Sequence, residues 1–280
     1  MSSSKSKPVT RGKKRPKTRA ERADRHRLYQ KSVQCVEAEI DFVEKTFRKR
    51  RGRRPKRFRE DFCGTANAAC EWVKRRRTHQ AVGIDLDGEV LDWGRTHNLA
   101  RLKPGPAKRI ELIHGNVLTT RIEPVDVAVA MNFSYWTFKE RKTLKRYFRR
   151  VNEGLVSDGL FILDAYGGHD AFRVMKDRHR YNGFTYVWDQ ADYDPITGDY
   201  TCHIHFNFAD GSRMRRAFTY HWRLWTLPEI QECLRAAGFQ TVQVYWQGFE
   251  EKSGEADGDF LPTDRGDPDP AWIAYLVAEK

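Results

Sequence analysis

The chain has no apolar run that approaches the length of a bilayer span, and its N-terminus lacks the apolar stretch of a secretory leader. A cytoplasmic protein with no membrane partner is the expectation. Cysteine is sparse and scattered: Cys35, Cys63, Cys70, Cys202 and Cys233 show no paired spacing. That excludes a disulfide scaffold, points to a reducing compartment, and leaves no metal site to expect. Residues 1–19 contain no aromatic side chain, so they offer bases no platform for stacking. Acidic balance is missing from the first part of the chain as well. Residues 1–57 carry 21 Lys/Arg against 6 Asp/Glu, whereas the rest carries 30 against 32. The net charge of +13 therefore belongs to the leader, and the remainder is close to neutral.

What is present fits one large domain with an insertion, since 280 residues can bury a core without staples. Residues 1–19 are chiefly Ser, Lys, Arg and Pro with almost nothing apolar and cannot offset their ordering entropy, so a disordered basic tail is expected. Such a tail either contacts phosphate, which admits a nucleic-acid partner, or only solubilises the chain. Residues 20–55 follow as a helical segment and basic linker, with Leu28, Val33, Val36, Ile40, Val43 and Phe47 at helical steps. Residues 56–280 form the main domain.

That domain opens on Arg59-Glu60-Asp61-Phe62-Cys63-Gly64-Thr65-Ala66, a strand leading through a small-residue turn into a helix. A turn without bulk lets backbone N–H groups approach a ligand. About 20 residues on, Gly83-Ile84-Asp85 ends a second strand, the interval at which a carboxylate holds the ribose of a nucleotide-type ligand. Glu60-x-x-Cys63-Gly64-Thr65-Ala66 resembles motif I of the class I S-adenosylmethionine-dependent methyltransferases, with Phe62 and Ala66 standing where that family has its first and third glycines. The charge of Lys56 to Asp61 is unusual for a buried parallel strand.

The resemblance runs from Arg57 to Val277 and implies a Rossmann-like α/β fold. Its seven-stranded sheet would carry an antiparallel insertion, at about residues 183–222, between strand 5 and the last helix. It implies S-adenosylmethionine as cofactor, held by Glu60, Cys63, Gly64, Thr65, Ala66, Asp85, Leu86, Asn116, Val117 and Asn132, with Tyr29 on a covering helix. The N-terminus of the helix after Ala66 is expected to face the methionine carboxylate. Asn116 stands where the family often has an acid for the adenine amine. Asn132 and Tyr135, in Asn132-Phe133-Ser134-Tyr135 after an apolar strand, are the expected methyl-side residues.

Later segments agree with this order. Thr137-Phe138-Lys139-Glu140 reads as a capping box opening a helix that ends at Gly154. Alternating aromatic runs at residues 184–188, 200–208 and 218–222, with Asp210-Gly211 as a hairpin turn, predict a three-stranded sheet. That sheet covers a substrate, the core or a second subunit. His203 and His205 share its polar face and are open to three roles: metal ligand, substrate or base contact, or solvated surface. Tyr166 follows strand 5 as a further candidate. Thr226 caps another helix, and residues 250–270 read as an exposed loop. Three functions remain open. The first is transfer of a methyl group to a small-molecule acceptor. The second is methylation of RNA or ribosomal protein through the basic leader. The third is a noncatalytic binding protein on the same fold.

Overall fold

The computed structural model describes residues 15–249 and 256–280. The basic tail expected over residues 1–19 lies outside the described residues up to residue 14, as do residues 250–255 of the expected loop. Residues 15–19 are placed: Thr18 caps α1 (Arg19–Arg22) through a capping box with Glu21. The long helix expected from Ala20 is three helices, α1, α2 (Arg25–Ser32) and α3 (Val36–Arg51). The first break is made by Asp24, whose carboxylate accepts from the His26 and Arg27 N–H groups and from Trp93 Nε1. Gly52, at φ 66°, ends α3 in the left-handed conformation that glycine adopts without penalty.

Alternating strands and helices follow: β1 (Arg57–Asp61), α4 (Asn67–Arg75), β2 (Gln80–Asp85), α5 (Gly88–His97), the short α6 (Pro104–Ala107), β3 (Ile110–His114), β4 (Val125–Ala130), α7 (Arg141–Glu153) and β5 (Leu155–Gly167). The insertion is β6 (Met175–Tyr181), β7 (Phe184–Tyr193), β8 (Asp199–Asn207) and β9 (Arg213–Arg223). The chain closes with α8 (Leu227–Ala236), β10 (Thr241–Phe249), β11 (Ala256–Thr263) and β12 (Trp272–Glu279). The main sheet has the order β3-β2-β1-β4-β5-β12-β10-β11, parallel from β3 to β5, with β12 antiparallel against β5. The expected seven strands are there, and β11 adds an eighth at the edge, within the stretch read as loop.

Two layers of apolar side chains cover the sheet. Phe47 of α3 and Trp72 of α4 pack with Phe58 on one face, and Tyr147 and Phe148 of α7 pack with Phe161 on the other. The charged strand β1 lies at the centre of this core because its charges are matched there. Arg59 Nε donates to Asp61 Oδ1 at 2.7 Å, Tyr147 Oη donates to Asp61 Oδ2 at 2.8 Å, and Glu60 Oε2 accepts the Ala69 N–H at 2.9 Å.

Two local expectations change. The helix after β4 starts at Arg141, with Glu140 as a cap that makes no side-chain bond. Ser134–Thr137 instead forms one tight turn that drives Tyr135 and Trp136 into the core, which takes Thr137 out of capping position. The insertion has four strands where three were expected. Its extra strand, β6, is exposed along most of its length, so it shows no apolar alternation to read.

Candidate functional site

Two cavities lie beyond the carboxyl ends of the parallel strands, where open α/β sheets hold their ligands. The larger, of about 740 Å³, is lined by the β1–α4 turn, the ends of β2, β3 and β4, helix α2 and strand β9. The smaller, of about 600 Å³, lies between β5 and the inner face of the insertion. Tyr29, Asn132, Tyr220 and Trp222 line both, so the two spaces meet at these four residues. Each is of a size usual for a small-molecule site.

The turn that opens the larger cavity is built by backbone conformation. Asp85 Oδ2 accepts the Gly64 N–H at 2.7 Å, and Oδ1 accepts the Asp87 N–H at 2.9 Å, so motif turn and strand end are tied together by one carboxylate. Phe62 (φ 54°) and Ala66 (φ 56°) both have left-handed backbones. The turn therefore keeps the conformation glycine would favour although glycine is absent at both positions. Asn132 (φ 58°), Phe133 (φ 56°) and Arg216 (φ 49°) complete the positive-φ non-glycine residues described, and all five border the two cavities or their turn. Strain of this kind collects where function over-determines the backbone. Phe62 packs against Phe138 and Tyr147 and stands in the wall of the larger cavity together with the turn and Asp85.

Most of the expected residues converge. Glu60, Cys63, Gly64, Thr65, Asp85, Leu86, Asn116, Val117, Asn132 and Tyr29 all line the larger cavity. Ala66 stands behind it, fully buried as the cap of α4. Tyr135 does not reach either cavity: its side chain is buried and its hydroxyl donates to the Asp164 carbonyl at 2.8 Å. His203 is equally removed, because strand alternation turns it to the outer face of the insertion, where its Nδ1 lies 3.0 Å from Thr219 Oγ1. His205 shares that face and bonds Asp189 at 3.0 Å. Among the described residues no group of three or more His, Cys, Asp or Glu is placed to hold a metal ion. Tyr166 does line the smaller cavity.

The N-terminus of α4 departs from expectation. Its donors are turned to Glu60, which accepts from Ala69, so a protein carboxylate already occupies the place foreseen for the ligand's. The cationic groups on the larger cavity are Arg25 and Arg216, one from α2 and one from β9, with His26 beside them. Neither arginine was legible as a site residue. Arg25 stands among several basic residues of the covering helix with nothing to single it out, and Arg216 is re-aimed by the β-bulge between Ile204 and Phe206.

Helix α2 roofs both cavities. Gln30 Nε2 donates to Thr65 Oγ1 at 2.7 Å, Asn67 Nδ2 donates to Gln34 Oε1 at 3.1 Å, and Tyr29 packs on Phe218 at 4.9 Å between centroids. Below it, Gly94 of α5 permits a close approach: a Cβ there would lie 2.6 Å from the Thr65 carbonyl oxygen. Gly94→Ala is expected to push the turn toward the cavity and cost about 1–3 kcal/mol of stability by urea denaturation. Gly64→Ala meets no neighbour within 4 Å and has only its positive φ to strain, about 1–2 kcal/mol.

The cavity is acidic. Burial raises Glu60 to about 8 and Glu39 to about 7, each helped by nearby carboxylates; burial also raises Asp164 to about 7 and pushes Asp85 up. Asp164 accepts the Asn132 and Phe133 N–H groups at 2.7 and 2.9 Å and so shapes the junction of the two cavities. Because these groups bind protons more tightly in the folded chain than in the unfolded one, the native state holds the extra protons. Their contribution is complete below the ordinary carboxyl range and lost as pH rises through the folded values. The melting temperature of the free protein is therefore expected to fall between about pH 5 and pH 8.5, and Glu60→Gln to flatten that slope.

Comparison with known proteins follows from this geometry. No family profile matches the sequence, and no curated protein matches it. Solved structures do. An S-adenosylmethionine-dependent methyltransferase from Clostridium acetobutylicum aligns with a TM-score of 0.65 at 15% identity, over 91% of this chain and 96% of that one. An amino pentose methyltransferase from Micromonospora echinaspora aligns at 0.64 and 15%, over 91% and 95%. A sugar N-methyltransferase from Streptoalloteichus aligns at 0.60 and 15%, over 99% and 98%. The chain has the class I methyltransferase fold, with the antiparallel insertion included in the match.

Proposed function

We propose that this protein is an S-adenosylmethionine-dependent methyltransferase and that its acceptor is a small molecule carrying an amine. The observation that carries the reading is the meeting of two cavities at Tyr29, Asn132, Tyr220 and Trp222. One cavity has the residues for the cofactor, and the other, rich in aromatic side chains, is an adjoining space for an acceptor. The first fits the cofactor on its chemistry. Asp85 presents a carboxylate to ribose hydroxyls, and Asn116 and the Val117 backbone stand at the end suited to adenine. Glu39 and Glu60 are buried carboxyls whose ionised forms a ligand with a positive sulfur and amino group would favour on binding, while Arg25 and Arg216 are available to its carboxylate. When bound, the cofactor supplies a methyl group on a positively charged sulfur.

The chain's own part is positioning and exclusion of water. The Asp164 carboxylate fixes the backbone of Asn132 and Phe133, and the α2 roof with Tyr220 and Trp222 closes the junction. Holding two reactants aligned at about 3–3.5 Å lowers a displacement barrier without a dedicated catalytic group. The acceptor cavity is walled by Phe133, Tyr166, Tyr186, Trp188 and Trp222, with Gln190 and Asp177 among its few polar groups. A ligand with apolar ring faces and a small number of hydrogen-bonding groups suits such a wall. Neighbours of the same fold include an amino pentose and a sugar N-methyltransferase, and glycopeptide N-methyltransferase structures hold S-adenosylmethionine or S-adenosylhomocysteine. These support the amine over a hydroxyl acceptor.

The test has two stages. Calorimetry with S-adenosylmethionine should show one site; absence of binding heat overturns the enzyme reading. Mass spectrometry with a panel of amino sugars should then show a methyl gain; a gain on hydroxyl but not amine compounds moves the reaction to oxygen.

A further inference from the structure

The outer face of the insertion sheet, turned away from both cavities, carries a second arrangement of charge. The register sets it out in cross-strand rows. One row runs Arg180, Thr185, Asn207, Arg213 across β6, β7, β8 and β9. The next runs Arg178, Val187, His205, and reaches Arg215 at the bulge. A third starts with Lys176 and Asp189. Lys176, Arg178, His205, Arg213 and Arg215 line one shallow concavity of about 210 Å³ with Val187 and Asn207. The only carboxylate in these rows, Asp189, is engaged by Lys176 and by His205 Nε2, both at 3.0 Å. His205 Nδ1 also lies 2.9 Å from the Arg216 N–H, which it accepts. Among the described residues Arg178, Arg180, Arg213 and Arg215 make no ion pair, and all four are exposed.

We infer that this face docks a double-stranded nucleic acid through its phosphates. The arginines form two rails at opposite edges of a four-stranded sheet, about 14 Å apart at the usual strand spacing, with Thr185, Val187, His205 and Asn207 between. That separation is comparable to the ~12 Å width across which a duplex groove presents its two phosphate strands. Guanidinium groups with no protein partner are suited to bidentate phosphate contact. The described rows carry no exposed aromatic side chain, so single-stranded bases find nothing to stack on, and no exposed large apolar group to enter a bilayer. Recognition is therefore by backbone charge and independent of sequence. The Arg19 and Ala20 N–H groups bond Asp210 and Ser212 at the tip of the β8–β9 hairpin, next to Arg213. The docking surface is distinct from the methyl-transfer site and does not depend on that reading.

The experiment is fluorescence anisotropy with a labelled DNA duplex of about 20 base pairs and the full chain, over a salt series. The wild type should bind with a steep salt dependence. The variant Arg178→Gln, Arg180→Gln, Arg213→Gln, Arg215→Gln should bind about 100-fold more weakly at low salt, with a log–log slope shallower by about 3–4. Its circular-dichroism melt should match that of the wild type, since the four side chains are exposed and unpaired. No duplex binding by the wild type, or equal binding by the variant, overturns the inference. So does full displacement of the duplex by inorganic phosphate with a slope near one, which would mean a single-anion site. Tighter binding to phosphatidylserine vesicles than to duplex would assign the face to membranes and overturn it equally. If the variant changes only aggregation, the arginines serve edge protection and the inference fails.

Discussion

Replacing Asp85 by alanine is expected to weaken S-adenosylmethionine binding by about two orders of magnitude in a calorimetric titration. An ionised carboxyl offers about four acceptor positions. Backbone N–H groups of Gly64 and Asp87 bond it at 2.7 and 2.9 Å, and because Asp85 lines the larger cavity its remaining acceptor positions are available to a ligand. Hydrogen bonds to a charged group are worth about 1.5–3 kcal/mol each, so losing two to ribose removes about 3 kcal/mol, or about 150-fold. Burial raises the Asp85 carboxyl, and hydroxyl donors compensate a partly desolvated anion well. Asp85→Asn keeps an acceptor of the same shape and should lose about tenfold. Some of the alanine effect will come from a looser turn, and a melting experiment measures that part separately. An unchanged dissociation constant in Asp85→Ala would remove ribose contact from this residue and with it the assignment of the larger cavity.

The largest loss of stability is expected from Asp61→Ala, about 3–5 kcal/mol by urea denaturation. Arg59 and Asp61 are 2% and 1% exposed and lie within the central strand, with Arg59 Nε at 2.7 Å from Asp61 Oδ1. Truncating Asp61 leaves a buried guanidinium without a counter-charge and orphans the Tyr147 hydroxyl. Tyr147→Phe, which removes one hydrogen bond and little volume, should cost about 1–2 kcal/mol. The double variant Arg59→Met, Asp61→Leu removes both charges and should recover most of the single-variant loss. If it is as unstable as Asp61→Ala, the cost lies in packing and not in the unpaired charge. Because β1 leads into the motif turn, the pair is placed to keep that turn in register with Asp85.

Much of the cofactor side was legible because it depends on short-range chemistry. The Cys63-Gly64-Thr65 turn, the interval to Asp85 and the apolar β4 ending at Asn132 are local features, and each stands at a strand end of the sheet. The two missing glycines were a weaker signal than they looked, since Phe62 and Ala66 take the positive-φ conformation under constraint from their surroundings. Tyr135 and His203 were misplaced for one shared reason: spacing names a residue, and rotation of the backbone decides which way it points. A single tight turn sends Tyr135 inward, and strand alternation sends His203 outward. Strand β6, Arg25 and Arg216 gave no local signal, because an exposed edge strand lacks alternation and a bulge shifts the alternation that Arg216 would otherwise follow.

The order of strands and helices, the motif turn and the acidic strand end were written in the sequence, because hydrophobic period and turn chemistry act between residues near one another in the chain. Only the tertiary structure decided that the insertion closes a second cavity against Asn132, that helix α2 roofs both spaces, and that β1 can bury its charges. The first two depend on contacts between residues far apart in the chain, which leave no periodic trace in either partner's own segment; the third needs Tyr147 of α7 to reach Asp61 and helices to cover the strand, although Arg59 and Asp61 themselves are two residues apart.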